Sequence, residues 1–411
     1  MSDVVIVSQG DELTTGAVAD TNAAFIAGRL WDLGLTVRRV MTAPDDRAEI
    51  TAVLAEAARL APVVICTGGL GPTRDDLTAE AAAAAFGRAL HEDAGALAQV
   101  EAAFVSRGRP MNPTNRKQAV LPEGAVVLEN RWGTAPGFRV DHAGTALFFL
   151  PGVPREMRPM METWVLPAVR ALRPGAGPRL RVLRVLGVPE SELEARLQGM
   201  GQAGLTVGFR TRAPENEVKL RFDAAVSAES EAAAVAEARG RIGSRAWGLD
   251  CGDLAEVVAA ALTARGETLG LAESCTAGRL AAWLGSVPGA SAFLLEGAVV
   301  YSNDAKVRTC GVAPALLEAH GAVSEPVARA LAEGIRARAG STYGIGITGI
   351  AGPAGGTAEK PVGTVHLALA GPGGTLHRAE RFFGDRDRVT ASAAAAALFL
   401  LLRSLRGGGG D

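Results

Sequence analysis

The residues able to do chemistry gather in short runs where an apolar stretch stops and a turn or helix begins. In the last third of the chain these are Ala272-Glu273-Ser274-Cys275-Thr276-Ala277-Gly278, Tyr301-Ser302-Asn303-Asp304-Ala305-Lys306 and Thr348-Gly349-Ile350-Ala351-Gly352-Pro353. Hydroxyls, an amine and bare backbone donors at strand ends are the usual furniture of an α/β active site. Ser274 and Thr276 stand between apolar Thr268–Leu271 and the helical run Arg279–Leu284. There they have a helix's positive end and free N–H groups beside them, or simply cap that helix. Lys306 lies behind the apolar run Gly297–Val300. A desolvated amine there can take a serine proton, because burial lowers a lysine pKa; a surface-helix lysine is the competing reading. Thr348 closes the strand-like run Tyr343–Ile347, and the glycines from Gly349 to Gly356 suit an anion or a developing oxyanion. The next strand, Gly363–Leu369, is expected to return beside it. Cys275 remains a rival nucleophile to Ser274.

Two comparable turns lie near the amino terminus. Strand-like Asp3–Val7 ends in Ser8-Gln9-Gly10-Asp11-Glu12, and Pro62–Cys66 ends in Thr67-Gly68-Gly69-Leu70-Gly71-Pro72-Thr73-Arg74-Asp75-Asp76, ahead of an alanine-rich helix expected from Thr78 to about Leu90. Parallel strands place both turns at one sheet edge. Glycine N–H groups suit a phosphate, but carboxylates beside it repel it unless a divalent cation lies between, so Asp11, Asp75 and Asp76 are candidate metal ligands. The plainer reading makes Asp75 or Asp76 a helix cap and Asp11 a turn residue. There is no glutamate-rich Nudix-type helix.

The elements that position these residues need more than one core. The chain has 411 residues, 48% of them hydrophobic, and 51 glycines, which fits two or three domains of alternating strands and helices. Lys and Arg number 42 against 44 Asp and Glu, so no global charge draws nucleic acid. The 4 cysteines are widely spaced and the 5 histidines form no HExxH pair, which fits free thiols in a reducing cytoplasm. The start lacks the features of a signal peptide, and the apolar stretch Ala391–Leu402 is short enough for a buried helix rather than a membrane span. In the middle, Arg173–Pro178 reads as a linker. It is followed by strand Leu180–Leu186, helix Glu190–Leu197, strands Leu205–Arg210 and Glu217–Phe222, and helix Ala228–Arg241. Gly201-Gln202-Ala203-Gly204 has the GxxG spacing of a nucleic-acid clamp but leads straight into a strand. A spacer or dimerisation module is expected.

The three carboxy-terminal runs, with Gly321–Glu325 and Glu359–Thr364, resemble the CinA C-terminal family over about residues 251–405. That is the PncC-type nicotinamide mononucleotide deamidase, which yields nicotinate mononucleotide and ammonia. The resemblance implies Ser274 as nucleophile and Lys306 as its base, with Tyr301 and Thr348 orienting the pair or receiving nicotinamide. It implies Thr276, Gly278, Ser302, Gly349, Gly352 and Arg388 as substrate-binding residues, Arg388 at the phosphate, and no cofactor. Many relatives carry glycine where this chain has Ala277, a change that is harmless unless φ there is positive.

Residues 3 to 168, with Thr21-Asn22, Asn112–Ala119 and Leu150–Met157, resemble the molybdopterin-binding-like first half of CinA proteins. That domain is associated with metal-dependent hydrolysis of ADP-ribose to AMP and ribose 5-phosphate. The resemblance implies Gly10, Glu12, Asn22, Gly68, Gly69, Gly71, Lys117, Gln118, Pro151 and Gly152 around ADP-ribose, and Asp11, Asp75 and Asp76 on Mg²⁺, Mn²⁺ or Co²⁺. A pterin binder without turnover fits the same domain, and a competence or DNA-damage regulator fits the family's name. The resulting expectation is an α/β protein of three parts: a three-layer molybdopterin-binding-like domain (1–170), a small α+β KH-like module (171–250) and an α/β deamidase domain (251–405), ending in a disordered tail (406–411). It is expected to be a cytoplasmic homodimer acting on nicotinamide mononucleotide and ADP-ribose, without membrane or nucleic-acid partners.

Overall fold

Apolar runs rich in valine and isoleucine alternate with alanine-rich helical runs, and the strands they form build three principal sheets. The structure, a computed structural model, describes residues 4–172 and 178–407. Most of the expected linker and the tail beyond Gly407 lie outside the described residues. The chain divides into two compact units, Met1–Leu180 with Phe222–Ala225, and the remainder.

In the first unit the order is β1 (Val4–Gln9), α1 (Asp11–Thr14), α2 (Thr21–Asp32), β2 (Val37–Ala43), α3 (Arg47–Leu60), β3 (Val63–Thr67), α4 (Thr78–Ala85), β4 (Leu90–Glu92), α5 (Ala94–Val105), β5 (Val120–Pro122), β6 (Val126–Leu128), β7 (Gly137–His142), β8 (Thr145–Leu150), α6 (Pro154–Met160) and α7 (Leu166–Leu172). The main sheet runs β2-β1-β3-β8-β7-β6, its first four strands parallel. Alternation splits each strand between two cores: Val5 and Val7 pack with α3 and α4, Val4 and Ile6 with α2, α6 and α7. This is a three-layer α/β/α domain. α4 stops five residues short of the expected Leu90, because Gly87 turns left-handed at φ 63° and Arg88 N–H closes onto Ala83 O.

The second unit opens with β9 (Arg179–Leu186), α8 (Glu190–Leu197), β10 (Leu205–Arg212), β11 (Glu215–Phe222), α9 (Ala228–Ile242) and β12 (Ala246–Leu249), a four-stranded sheet in the order β10-β11-β9-β12. Its βαββαβ succession is that of a split βαβ unit, and Gly204 leads directly into β10. There follow α10 (Leu254–Arg265), β13 (Leu269–Glu273), α11 (Arg279–Gly285), β14 (Leu294–Val299), α12 (Asn303–Cys310), α13 (Pro314–His320), α14 (Glu325–Ala339), β15 (Tyr343–Gly349), β16 (Thr364–Gly371), β17 (Gly374–Arg381) and α15 (Arg386–Leu405). The sheet order is β14-β13-β15-β16-β17, with β13 parallel to both β14 and β15 and β16 returning antiparallel to β15. α10, α11 and α15 cover one face, packing on Leu269, Leu271, Ile345 and Ile347; α12 and α14 cover the other, packing on Ala272. α15 is long and apolar enough to cross a bilayer, and it lies largely buried in this first core.

The close seating of α14 on β15 depends on small residues. A Cβ at Gly346 would stand 2.4 Å from Ala328 O. Gly346→Ala is therefore expected to cost about 1–3 kcal/mol as backbone and helix are forced apart, measured as a lowered midpoint in urea.

Candidate active sites

Strand order reverses at β13, whose chain successors lie on opposite sides of it, and such switch points are where open α/β sheets bind ligands. Ser274 follows β13 directly. Its N–H donates to Ile347 O at 3.0 Å, carrying the ladder one residue past the strand. By alternation Ser274 thus faces α12 and α14, on the side of Gly270 and Ala272, as does Thr348 beyond Gly344 and Gly346. Lys306 enters from α12 on that same side.

The Lys306 side chain is 1% exposed, and its Nζ donates to Val300 O and Tyr301 O, each at 3.0 Å. Desolvation by burial holds its pKa below the ordinary lysine range. No carboxylate pairs with it among the described residues. A neutral amine satisfies both carbonyls with its two protons and keeps a lone pair for a serine hydroxyl. In this arrangement Nζ makes no hydrogen bond to Ser274 Oγ.

Cys275 points the other way, into the core under α11 and α15, at 4% exposure. Burial pushes its thiol up to about 12, so no thiolate is present at neutral pH. Neither Ser274 nor Thr276 caps α11: the cap is Gly278, at φ 92°. The positive end of α11 is taken instead by Glu273, 1% exposed, whose carboxylate accepts from the N–H groups of Gly278, Leu280 and Ala281 at 3.2, 3.1 and 2.8 Å. Thr276 is 3% exposed and its Oγ1 has no partner.

Around this centre, Thr348 Oγ1 donates to Ala322 O at 2.8 Å, and Ser302 caps α12 through Ala305 N–H. Gly349 lies opposite Val365 in the ladder, and Gly352 turns left-handed at φ 82°. Tyr301 is 54% exposed, and its Oη accepts from Arg386 Nη2 at 2.6 Å. Arg386 Nη1 also reaches Gly352 O at 2.8 Å. Arg388, by contrast, lies along Gly384 at the start of α15. Arg386, two residues earlier, is the arginine joined to the site, and the motif Asp385-Arg386-Asp387-Arg388 did not distinguish them.

In the first unit a cavity of about 690 Å³ opens at the carboxy-terminal ends of β1, β3 and β8. Gly10, Glu12, Asn22, Gly68, Gly69, Gly71, Asp75, Asp76, Gln118, Pro151 and Gly152 line it. A Cβ at Gly68 would meet Gln9 O at 2.4 Å, so glycine alone lets these strand ends close together. Lys117 faces an adjoining space that shares Gly69, Gly71, Asp76 and Gln118, with Nζ on Thr73 O at 2.9 Å. Asp11 is turned into a reciprocal pair with Asp45: each carboxylate accepts the other's backbone N–H, at 3.0 and 3.1 Å. Asp76 accepts from Thr73 N–H and Thr73 Oγ1. Neither Asp75 nor Asp76 caps α4, whose cap is Leu77.

Asp45, Glu156 and Gln9 also line the cavity. Asp45 ends a third strand turn, Ala43-Pro44-Asp45-Asp46, an acidic signal easily passed over for want of glycine. Its pKa is raised, first by burial and then by the charges of Asp11, Glu12 and Asp75, against the opposing hydrogen bond from Asp11 N–H. Among the described residues no three His, Cys, Asp or Glu groups converge as a metal cage. A Mg²⁺-like ion needs only one or two carboxylates beside phosphate oxygens and water, so these hard oxygen donors fit a cation that arrives with a diphosphate.

Ala277 sits at φ 52°, the condition under which its methyl is not harmless. A left-handed alanine costs roughly 1–2 kcal/mol, and glycine gives back about 0.4–1 kcal/mol through unfolded-chain entropy. Ala277→Gly is expected to stabilise by about 0.5–1 kcal/mol. Glu273→Gln, which replaces a charged acceptor of three N–H groups, should cost about 2–3 kcal/mol. Urea unfolding of both variants checks the opposite signs.

A profile for the CinA C-terminal domain matches residues 252–405, and one for a probable molybdopterin binding domain matches residues 5–171. The chain is similar to a CinA-like protein of Anaeromyxobacter sp. (strain K), 47% identical over 407 residues that cover 98% of this chain and 100% of the other. A CinA-like protein of Myxococcus xanthus is 45% identical over 413 residues, covering 98% of each. Among solved structures, the protein CinA with unknown function from Thermoplasma acidophilum is 34% identical, covering 41% of this chain and 98% of its own, with a TM-score of 0.38. A competence-damaged protein (CinA) superfamily member from Klebsiella pneumoniae is 40% identical, with 38% and 96% covered and a TM-score of 0.37.

Proposed function

This chain belongs to the CinA-like family, and from that premise we propose that its carboxy-terminal domain hydrolyses the carboxamide of nicotinamide mononucleotide while its amino-terminal domain hydrolyses ADP-ribose. The observation that carries the first activity is the unpaired, buried Lys306 amine on the sheet face that Ser274 shares.

Ser274 Oγ attacks the carboxamide carbon as its proton passes to neutral Lys306. The tetrahedral intermediate collapses, the C–N bond breaks, and Lys306 returns the proton to the departing nitrogen, releasing ammonia. Water then attacks the acyl-serine, with Lys306 again as base, and nicotinate mononucleotide leaves. Arg386, exposed and bridging Tyr301 Oη and Gly352 O, is a suitable guanidinium for the ribose phosphate, with Arg388 next to it on α15. Ser274→Ala should abolish ammonia release. Lys306→Arg should do the same, because a guanidinium keeps the charge but cannot lose its proton. In the parent, kcat/KM should rise with pH as Lys306 deprotonates, with its midpoint below the ordinary lysine range. Near-normal turnover by either variant removes the dyad.

For the amino-terminal domain, the glycine-lined cavity with its acidic wall supports a nucleoside diphosphate brought in with a divalent cation. Asp45 and Asp75 would hold the cation, which when bound would supply charge neutralisation at the phosphates. Gly68, Gly69 and Gly71 offer backbone close to the diphosphate, and Lys117 lies at its border. Because its folded-state pKa is raised, ionised Asp45 opposes folding as pH climbs through that value. Asp45→Asn is expected to fold at least as stably at neutral pH yet to lose Mg²⁺-dependent ADP-ribose binding and AMP release. Calorimetric titration of ADP-ribose with and without Mg²⁺ checks this; undiminished cation-dependent binding would contradict it.

A further inference from the structure

The turn after Ser274 accounts for nearly all of its backbone donors. Ser274 N–H goes to Ile347 O, Ala277 N–H to Ser274 O and Arg279 N–H to Thr276 O, while the N–H groups of Gly278, Leu280 and Ala281 go to Glu273. From residue 274 to 281, only the N–H groups of Cys275 and Thr276 meet no oxygen acceptor among the described residues. The Thr276 hydroxyl is also left over: it is fully buried, with no partner. Unpaired buried donors are costly and rare. Here two of them, the hydroxyl and N–H of Thr276, lie two residues after the nucleophile, beside a Cys275 N–H that has only its own thiol for company, in a turn whose next residue, Ala277, is held left-handed at φ 52°. The positive end of α11 is not the source, since Glu273 already occupies it.

We propose that Thr276, through its hydroxyl and N–H, acts with the Cys275 N–H as the oxyanion hole of the amide hydrolysis. This rests on the deamidase reading above and extends it. When Ser274 Oγ bonds to the carboxamide carbon, the C=O π electrons move onto oxygen, and the serine proton goes to Lys306. The Thr276 hydroxyl, its N–H and the Cys275 N–H then acquire an oxygen acceptor, the new oxyanion. The electrons return to carbon as the C–N bond breaks and ammonia leaves with the proton from Lys306. Donors with no partner in the free protein but one in the transition state stabilise the latter selectively.

The test compares Thr276→Val, Thr276→Ala and Thr276→Ser with the parent and with Ser274→Ala, measuring ammonia release from nicotinamide mononucleotide and thermal unfolding. The Val and Ala variants are expected to lose roughly a hundredfold in kcat with little change in KM. Thr276→Val should keep or raise the melting temperature, because the hydroxyl it removes is unpaired in the free protein. Thr276→Ser should recover most of the rate. Turnover within threefold of the parent in both the Val and Ala variants would overturn the proposal and leave the deamidase reading standing. So would a loss of rate that tracks a loss of melting temperature and is not recovered by serine. An inactive parent, or an active Ser274→Ala, would instead remove the deamidase reading and this inference with it.

Discussion

Everything in the carboxy-terminal domain turns on one ammonium-bearing side chain taken out of water. Lys306 has two backbone carbonyls for company and no counter-ion among the described residues, so its charged form is the costly one. The placement is local in origin. β14 ends at Val299, Ser302 caps α12, and the fourth residue of that helix swings its amine back onto the carbonyls of Val300 and Tyr301. The dryness is tertiary. α14 must lie close on the sheet, which Gly344 and Gly346 permit.

The sheet also keeps opposite charges apart. Glu273 and Ser274 are chain neighbours, yet alternation sends the carboxylate beneath α11 and leaves the hydroxyl on the side of Lys306. A carboxylate next to that amine would hold it protonated. Bound instead to the N–H groups of Gly278, Leu280 and Ala281, Glu273 fixes the turn that carries Ser274 and Thr276 without touching Lys306. The amino-terminal cavity has the reverse arrangement, with the carboxylates of Glu12, Asp45 and Asp75 on one wall and Asp11 bonded to Asp45.

Much of this was legible in the chain. Chemistry-bearing residues directly after apolar runs located both sheet edges, and α8 spans the expected Glu190–Leu197. Less visible was anything decided by direction rather than position. Arg386 and Arg388 differ by two residues at a helix start, which turns their side chains to different sides. Cys275 and Ser274 differ by one residue at a strand end, which sends them to opposite faces. The left-handed φ at Ala277 follows from the turn that Glu273 ties down, a contact with no sequence signature of its own. One compositional signal was available: Lys117, Lys219, Lys306 and Lys360 are the only lysines among 42 basic residues, and only Lys306 among them is buried.

That scarcity makes the titration of Lys306 measurable. In protein labelled with carbon-13 at the lysine ε position, four resonances titrate with pH, and replacing Lys306 identifies its signal. This resonance is expected to titrate well below the other three, as that of a dry amine without a counter-ion must. Four resonances titrating together in the ordinary lysine range would mean that the amine at position 306 is solvated and charged, and the proposed Ser274–Lys306 dyad would fail.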